Sequence, residues 1–156
     1  MSRLVLHGVL LPDAEERADL RANYAPPINI KDNGSHWYDT WMMLRNSLIM
    51  WPWYSRKNEN RRKVVQDYSG RKLHNLTFEV MKQRESYHHV INAAIDYHAY
   101  DALAQLSGPF LTCADPGHRF AGYDKRLESV TANSERLAVS SDRNAHADRL
   151  AAFLAA

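Results

Sequence analysis

The segment "RLVLHGVLL", residues 3–11, constrains the fold more than any other part of the chain. It is rich in valine and leucine, contains few polar residues and ends at Pro12. A short apolar run bounded by proline is typical of a buried strand, and its near-continuous hydrophobicity favours parallel pairing. Such a strand needs strands on its flanks and helices on both faces of the sheet. We therefore expect an α/β protein whose other strands come later in the chain.

Two later segments have the same character. In "SGPFLTCADPGHRF" an apolar run lies between Gly108-Pro109 and Asp115-Pro116, which predicts a second buried strand followed by a loop. "RLAVSS", residues 136–141, predicts a third strand, and "GYDKRLESV" and "HADRLAAFLAA" predict helices around it. Strands that alternate with helices indicate a parallel sheet with right-handed crossovers. We predict a partial parallel sheet of about three strands.

The residues between the first two predicted strands are helical in pattern. They are too numerous for a simple crossover, so we expect a helical cap inserted into the α/β domain. The predicted boundaries are 1–12 for the first core strand, 13–106 for the cap, and 107–156 for the C-terminal strands and helices.

Residues 33–54, "NGSHWYDTWMMLRNSLIMWPWY", contain all four tryptophans and three of the five methionines of the chain. Pro52 ends the predicted helix, because the residue before a proline avoids the helical region. Two interpretations remain open: the helix belongs to a small buried core, or it forms the wall of an apolar pocket. The apolar stripe recurs at helical spacing at Trp37, Trp41, Leu44, Leu48 and Trp51.

Composition excludes several classes of function. A formal net charge of +2 and the absence of a nucleic-acid-binding motif argue against a nucleic-acid partner. The single Cys113 cannot form an internal disulfide, which favours a reducing, cytoplasmic setting. The apolar runs are too short to span a membrane, and no signal peptide precedes the first predicted strand.

The order of these parts resembles the C-terminal half of a capped α/β-hydrolase. The similarity covers essentially the whole chain and is carried by "RLVLHGV", "YAPP", "DNGSHWYDTWMMLRN", "WPWY" and "LSGPFL". In that family a core strand leads into a helical cap, and the chain returns through a pattern of the type L…PxLxxxxxD. The resemblance implies an ester or carbon–carbon-bond hydrolase. However, the chain contains no G-x-S-x-G nucleophile elbow.

The resemblance implies roles for two residues of a catalytic triad. Asp115, after the second strand, corresponds to the acid that orients the histidine; its alternative role is to start a turn with Pro116. The base is expected in a loop after the last strand and before the terminal helix, which the resemblance assigns to His146; alternatively, His146 caps or decorates the start of a helix. His118 is a weaker alternative. The missing parts would come from another polypeptide that supplies the N-terminal half, and the chain alone is expected to be inactive.

The resemblance also implies that the tryptophan-rich helix lines the substrate site. The expected substrate is a small apolar or carboxylate-bearing molecule, and an arginine among aromatic residues could clamp a carboxylate. For Arg45, ordinary exposure on a helix is the alternative. The candidate substrate-binding residues are His36, Trp37, Trp41, Arg45, Trp51 and Trp53.

A second hypothesis is a non-catalytic, mostly helical protein that binds an apolar ligand or a partner through its tryptophan and methionine side chains. Self-association distinguishes the two hypotheses, because a partial sheet leaves the first strand with an unpaired edge. No metal site is expected, because adjacent His88 and His89 point about 100° apart on a helix and so make a poor pair of ligands. No cofactor is expected.

Overall fold

The computed structural model describes residues 3–63, 69–106, 108–115, 117–130, 134–138 and 142–156. The chain divides into two compact units. We call Met1–Leu11 together with His98–Ala156 the sheet unit, and Pro12–Tyr97 the helical unit. The sequence-based boundaries placed residues 98–106 with the helical segment, whereas the structure groups them with the strands.

The described residues form three strands, seven α-helices and two short 3₁₀ helices. The strands are β1 (Leu4–His7), β2 (Phe110–Ala114) and β3 (Ser134–Ala138). The helices are α1 (Ala14–Asn23), α2 (Ser35–Ser47), α3 (Gly70–Lys82), α4 (Tyr87–Asp96), α5 (Ala99–Ala104), α6 (Asp124–Val130) and α7 (Arg143–Ala155). The 3₁₀ helices are Asn58–Asn60 and Ala121–Tyr123.

The three strands form one parallel sheet in the order β1-β2-β3. Leu4 pairs with Phe110, and Phe110 pairs in turn with Ser134. The predicted α/β class and the parallel three-stranded sheet are therefore confirmed. β3 begins two residues earlier than the predicted segment at 136.

Helices and loops cover both faces of the sheet, as the apolar sequence of β1 requires. On one face Leu4 and Leu6 pack against a cluster formed by Leu11, Leu103, Tyr123 and Leu127, which belong to the loop after β1 and to the segments of α5 and α6. On the other face Val5 packs against a cluster of Leu111, Cys113 and Leu137, which Leu150 and Phe153 of α7 also contact. Alternate side chains of one strand thus enter two separate cores.

The hydrogen-bond pattern leaves one edge of β1 open within the described residues. The Leu4 N–H donates to the Pro109 carbonyl at 3.2 Å. In a parallel ladder, alternate residues bond to the same neighbour, so the backbone groups of Leu4 and Leu6 face β2 and those of Val5 face away. Within this part of the chain, β1 therefore presents an open donor and acceptor at Val5.

In the helical unit, α1 packs with α4 and α2 packs with α3. A capping box starts α1: the Asp13 side chain accepts from the Glu16 N–H, and the Glu16 carboxylate accepts from the Asp13 N–H. The Arg17 guanidinium of α1 then donates to the backbone carbonyls of Ile95 and Tyr97. The two ends of the helical unit are therefore joined.

The buried residues within α2 lie off the predicted stripe, although Leu48 of that stripe, directly after the helix, is only 5% exposed. His36 and Thr40 are the buried residues of this helix, while Trp37 is 44% exposed. The helix also ends at Ser47, before the predicted stop at Pro52. Apolar residues lie on several sides of α2, so their spacing alone does not determine which face is buried. In the structure the Thr40 hydroxyl lies 3.7 Å from the Met81 sulfur of α3, so the face that carries Thr40 packs against α3.

The later helices also depart from the expected pattern. The helical segment after Ser86 consists of two helices, α4 and α5, and Val90 on α4 is exposed. α7 begins at Arg143, where the Asp142 side chain accepts from the Asn144 and Ala145 N–H groups. In the described residues, no helix is both long enough and apolar enough to cross a membrane.

Candidate functional site

Asp115 lies directly after β2, at the carboxyl end of the central strand. In open parallel sheets, ligands bind outside the carboxyl ends of the strands. The Asp115 carboxylate accepts from the Gly117 N–H at 2.8 Å through Oδ1, and its backbone carbonyl accepts from the His118 N–H. Among the described residues, Oδ2 makes no hydrogen bond. These bonds tie Asp115 to the residues that follow it and leave one carboxylate oxygen without a described partner; Pro116, with which it was predicted to start a turn, lies outside the described residues.

His118 packs against the end of β1. Its imidazole lies 5.5 Å from that of His7, centroid to centroid, and its Nδ1 accepts from the Phe120 N–H at 3.2 Å. A Cβ on Gly8 would overlap the ring, so the backbone of residue 8 touches the imidazole directly. His7 was not predicted from the sequence to lie here, because pairing of β1 with β2 brings together residues far apart in the chain.

His146 lies in the first turn of α7, not in the loop that the resemblance assigned to the base. Its Nδ1 is sealed from solvent and has no hydrogen-bond partner among the described residues. No hydrogen bond or ion pair joins it to Asp115, although both residues are within the described part of the chain. The structure therefore does not assemble the two residues into a dyad.

A cavity of about 520 Å³ adjoins His146 within the sheet unit. Leu137 and Ala138 at the end of β3 and Ala145, Asp148 and Arg149 of α7 also line it.

On β2, burial raises the pKa of the Cys113 thiol, because an apolar environment disfavours the thiolate. Cys113 is only 6% exposed, and a buried thiol with a raised pKa is a poor nucleophile.

Described residues of the helical unit line two clefts to which His36 contributes. The first, which we call the Pro26–Trp53 cleft, has a volume of about 220 Å³. The second, the Trp37–Phe78 groove, has a volume of about 330 Å³. The cleft is lined by Pro26, Pro27, Ile28, Asn29, Lys31, His36, Asp39, Thr40, Met43, Trp53 and Tyr87.

The loop before α2 shapes the Pro26–Trp53 cleft. The Trp53 indole N–H donates to the Tyr24 carbonyl at 2.8 Å, and the Tyr87 hydroxyl donates to the Pro26 carbonyl. Burial raises the pKa of Tyr87 to about 12. The sequence does not indicate that Tyr87 lines a cleft, because its contact with Pro26 depends on the packing of segments that are distant in the chain.

The Trp37–Phe78 groove is more open and carries exposed aromatic rings. Trp37 and Phe78 lie 6.4 Å apart, centroid to centroid, and are 44% and 47% exposed. The Lys82 ammonium lies 4.9 Å from the Phe78 ring centroid and pairs with Glu79. Ile30, which is 65% exposed, lines the groove as well.

The structure brings three of the six predicted substrate-binding residues to these clefts: His36, Trp37 and Trp53. Trp41, Arg45 and Trp51 line neither one. Arg45 donates to the Asn46 side-chain oxygen at 3.4 Å, and the Trp51 ring lies 5.1 Å from that of Tyr24. Trp51 lies beyond the end of α2, whereas Trp41 and Arg45 lie on the helix but line neither cleft.

Among the described residues, no group of three His, Cys, Asp or Glu side chains is arranged to hold a metal ion. The rings of His88 and His89 are 4.1 Å apart, but in this part of the chain no third ligand joins them. Comparison of the chain with protein-family models, with curated proteins and with solved structures finds no match.

Proposed function

We propose that this chain is an α/β-hydrolase-like protein of the ester or carbon–carbon-bond hydrolase type. In this proposal the helical unit binds the substrate and the sheet unit carries the acid and base of a triad. The observation that carries it is the position of Asp115, directly after the central strand of a parallel sheet, with Oδ2 open for a further hydrogen bond.

Asp115 and His146 would divide the work as in a serine-hydrolase triad. The acid accepts a hydrogen bond from one imidazole nitrogen, which fixes the tautomer, and the other nitrogen takes a proton from the nucleophile. Within the described residues, each has an atom without a hydrogen-bond partner, Oδ2 of Asp115 and Nδ1 of His146. Their pairing would require the first turn of α7 to move when the site is completed.

The nucleophile and the oxyanion donors would come from another polypeptide. The chain has no G-x-S-x-G motif, and a triad without its nucleophile and oxyanion donors cannot form a tetrahedral intermediate. The open edge of β1, with the backbone groups of Val5, is the surface that such a partner would extend by a parallel strand.

The test is reconstitution with the N-terminal half of a capped α/β-hydrolase that carries the serine elbow. The chain alone should not hydrolyse p-nitrophenyl butyrate above the uncatalysed rate, and the mixture should. Replacing the elbow serine by alanine, or making Asp115→Asn in this chain, should abolish the gain. No gain with several such halves would count against the proposal.

A second candidate function is non-catalytic binding of an apolar ligand or partner by the helical unit. The exposed rings of Trp37 and Phe78, together with Ile30, favour it. Sedimentation equilibrium separates the two candidates: an obligate oligomer favours strand addition at β1, and a well-behaved monomer favours the binding protein.

A further inference from the structure

His36 lines the Pro26–Trp53 cleft, whose wall is mixed: apolar side chains alternate with polar ones such as Asn29 and Thr40. It is the second residue of α2 and is only 9% exposed. A buried polar group normally has its hydrogen bonds satisfied. In His36 only Nδ1 is satisfied among the described residues, by the backbone N–H of Lys31 at 3.2 Å.

That hydrogen bond fixes the tautomer of the neutral imidazole. Because Nδ1 accepts a hydrogen bond, the ring carries its own hydrogen on Nε2. Nε2 makes no hydrogen bond within the described residues, and unlike Nδ1 of His146 it is open to solvent. His36 thus offers one oriented donor, set by the backbone of the loop before α2.

The charges beside the cleft are already neutralised. The Lys31 ammonium pairs with the Asp39 carboxylate at 2.5 Å, so a carboxylate ligand would have to compete with Asp39 for this cation. A carboxylate that entered against Ile28, Met43 and Trp53 would therefore lose hydration with little compensation from Lys31. An uncharged carbonyl loses less hydration and accepts the same hydrogen bond.

We propose that the Pro26–Trp53 cleft binds a small, uncharged acyl compound, an ester or a ketone, whose carbonyl oxygen accepts a hydrogen bond from His36 Nε2. The volume of about 220 Å³ lies below the range that is typical of sites for drug-sized ligands, so the ligand is expected to be small. Interpreting this ligand as a substrate rests on the proposed function, whereas binding itself does not.

The experiment titrates the full chain with methyl hexanoate and with hexanoate at pH 8. The indole N–H resonance of Trp53, identified by its loss in Trp53→Phe, reports on the cleft in a ¹⁵N correlation spectrum. Methyl hexanoate should shift this resonance with a Kd at least tenfold lower than that of hexanoate. Equal or tighter binding of hexanoate, no binding of either, or a shift confined to Trp37 would overturn the proposal.

Two variants of His36 test whether its Nε2–H group donates the hydrogen bond to the ligand. His36→Asn places an amide oxygen near the position of Nδ1 and keeps the acceptor for Lys31, but it removes the group at Nε2. His36→Gln places an amide N–H near the position of Nε2. Methyl hexanoate should bind about fivefold more weakly to the asparagine variant and within twofold of the unchanged chain to the glutamine variant. Unchanged binding to a folded asparagine variant would contradict the role of His36.

Should either variant fail to fold, the ester-to-carboxylate ratio in the unchanged chain still decides the question. The outcome is also separable from that of the proposed function. Ester binding without hydrolysis on reconstitution would support this cleft and count against the hydrolase. Hydrolysis without a Trp53 shift would do the reverse.

Discussion

Gly8 and His118 make the tightest contact at the carboxyl end of β1. Gly8 has a φ of 66°, a left-handed conformation, and a Cβ there would overlap the imidazole ring. Gly8→Ala should therefore lower the free energy of unfolding by about 2–4 kcal/mol, from the left-handed backbone and the steric overlap together. Urea denaturation monitored in the sheet unit measures this change.

A matched control is available in the same chain. Gly34 has a nearly equal φ of 73°, but among the described residues nothing lies within 4 Å of the position that a Cβ would take. Gly34→Ala should cost only the backbone strain, about 1–2 kcal/mol. In a His118→Ala background the cost of Gly8→Ala should fall to that same range. An unchanged cost in this background would show that the contact with His118 is not the cause.

His36 and Trp37 show why single residues of the site were only partly predictable. The resemblance implied that both line a substrate site, with a small buried core as the alternative for their helix, and both lie beside clefts. The sequence could not indicate which of the two is buried, because helix α2 has apolar residues on several sides. Its packing against α3 buries His36 and leaves Trp37 exposed.

The Tyr87 hydroxyl joins the start of α4 to the loop that follows α1. Tyr87→Phe should lower the free energy of unfolding by about 1 kcal/mol at pH 8, through the lost hydrogen bond to Pro26. Because burial raises the pKa of Tyr87 to about 12 from 10.0, the stabilisation is complete below pH 10 and is lost as the pH rises toward 12. The difference between the two proteins should therefore shrink at pH 11.

Urea titrations of both proteins at pH 8 and pH 11 provide the measurement, since the other titrating groups are common to both. Tyr97→Phe is the control, because Tyr97 is 61% exposed and removal of its hydroxyl should change stability by less than about 0.5 kcal/mol. A difference that stays constant between the two pH values would contradict the assigned cause.

The open edge of β1 makes a separate prediction. Val5→Pro removes the outward N–H of β1 without removing a hydrogen bond to β2, a position where proline is tolerated in sheets. If a strand adds at this edge, Val5→Pro should abolish association or reconstitution. Val5→Ala removes the packing of the side chain but keeps the N–H, so it should preserve association. Sedimentation equilibrium and the reconstitution assay measure both.

Strands were easier to predict than the ends of helices. β2 lies between the two predicted proline boundaries, and its parallel pairing followed from continuous hydrophobicity. The predicted helix began at His146, three residues after the observed start of α7 at Arg143, because the Asp142 N-cap adds residues to its first turn. That cap draws His146 into a helix and so alters its expected role.

The helical unit is one continuous stretch of chain, and its principal helix contacts are internal to it. We expect residues 12–97 to fold as a separate polypeptide with a cooperative thermal transition followed by circular dichroism. A fragment of residues 12–94 is the control. It lacks Ile95, which is only 2% exposed, and the carbonyl acceptors of Arg17, so it should lose the transition. Similar melting of both fragments would contradict this account.

For the chain as a whole, the sequence predicted an α/β class with a helical insertion between the first two strands. It could not predict the division at Tyr97 and His98, because nothing in the local pattern shows that α5 packs with Leu11 and Leu127. The sequence could not predict which residues line each of the two clefts for the same reason, because their walls come from segments that only tertiary packing brings together.

The insertion of the helical unit between β1 and β2 has a consequence for biosynthesis. β1 emerges from the ribosome roughly a hundred residues before β2, a delay on the order of 5–20 s at ordinary elongation rates. During that interval the helical unit can complete its fold, while the apolar β1 waits without its hydrogen-bonding neighbour. A nascent chain stalled before residue 110 would therefore expose β1 to chaperones, and release of the chaperone should follow synthesis of β2.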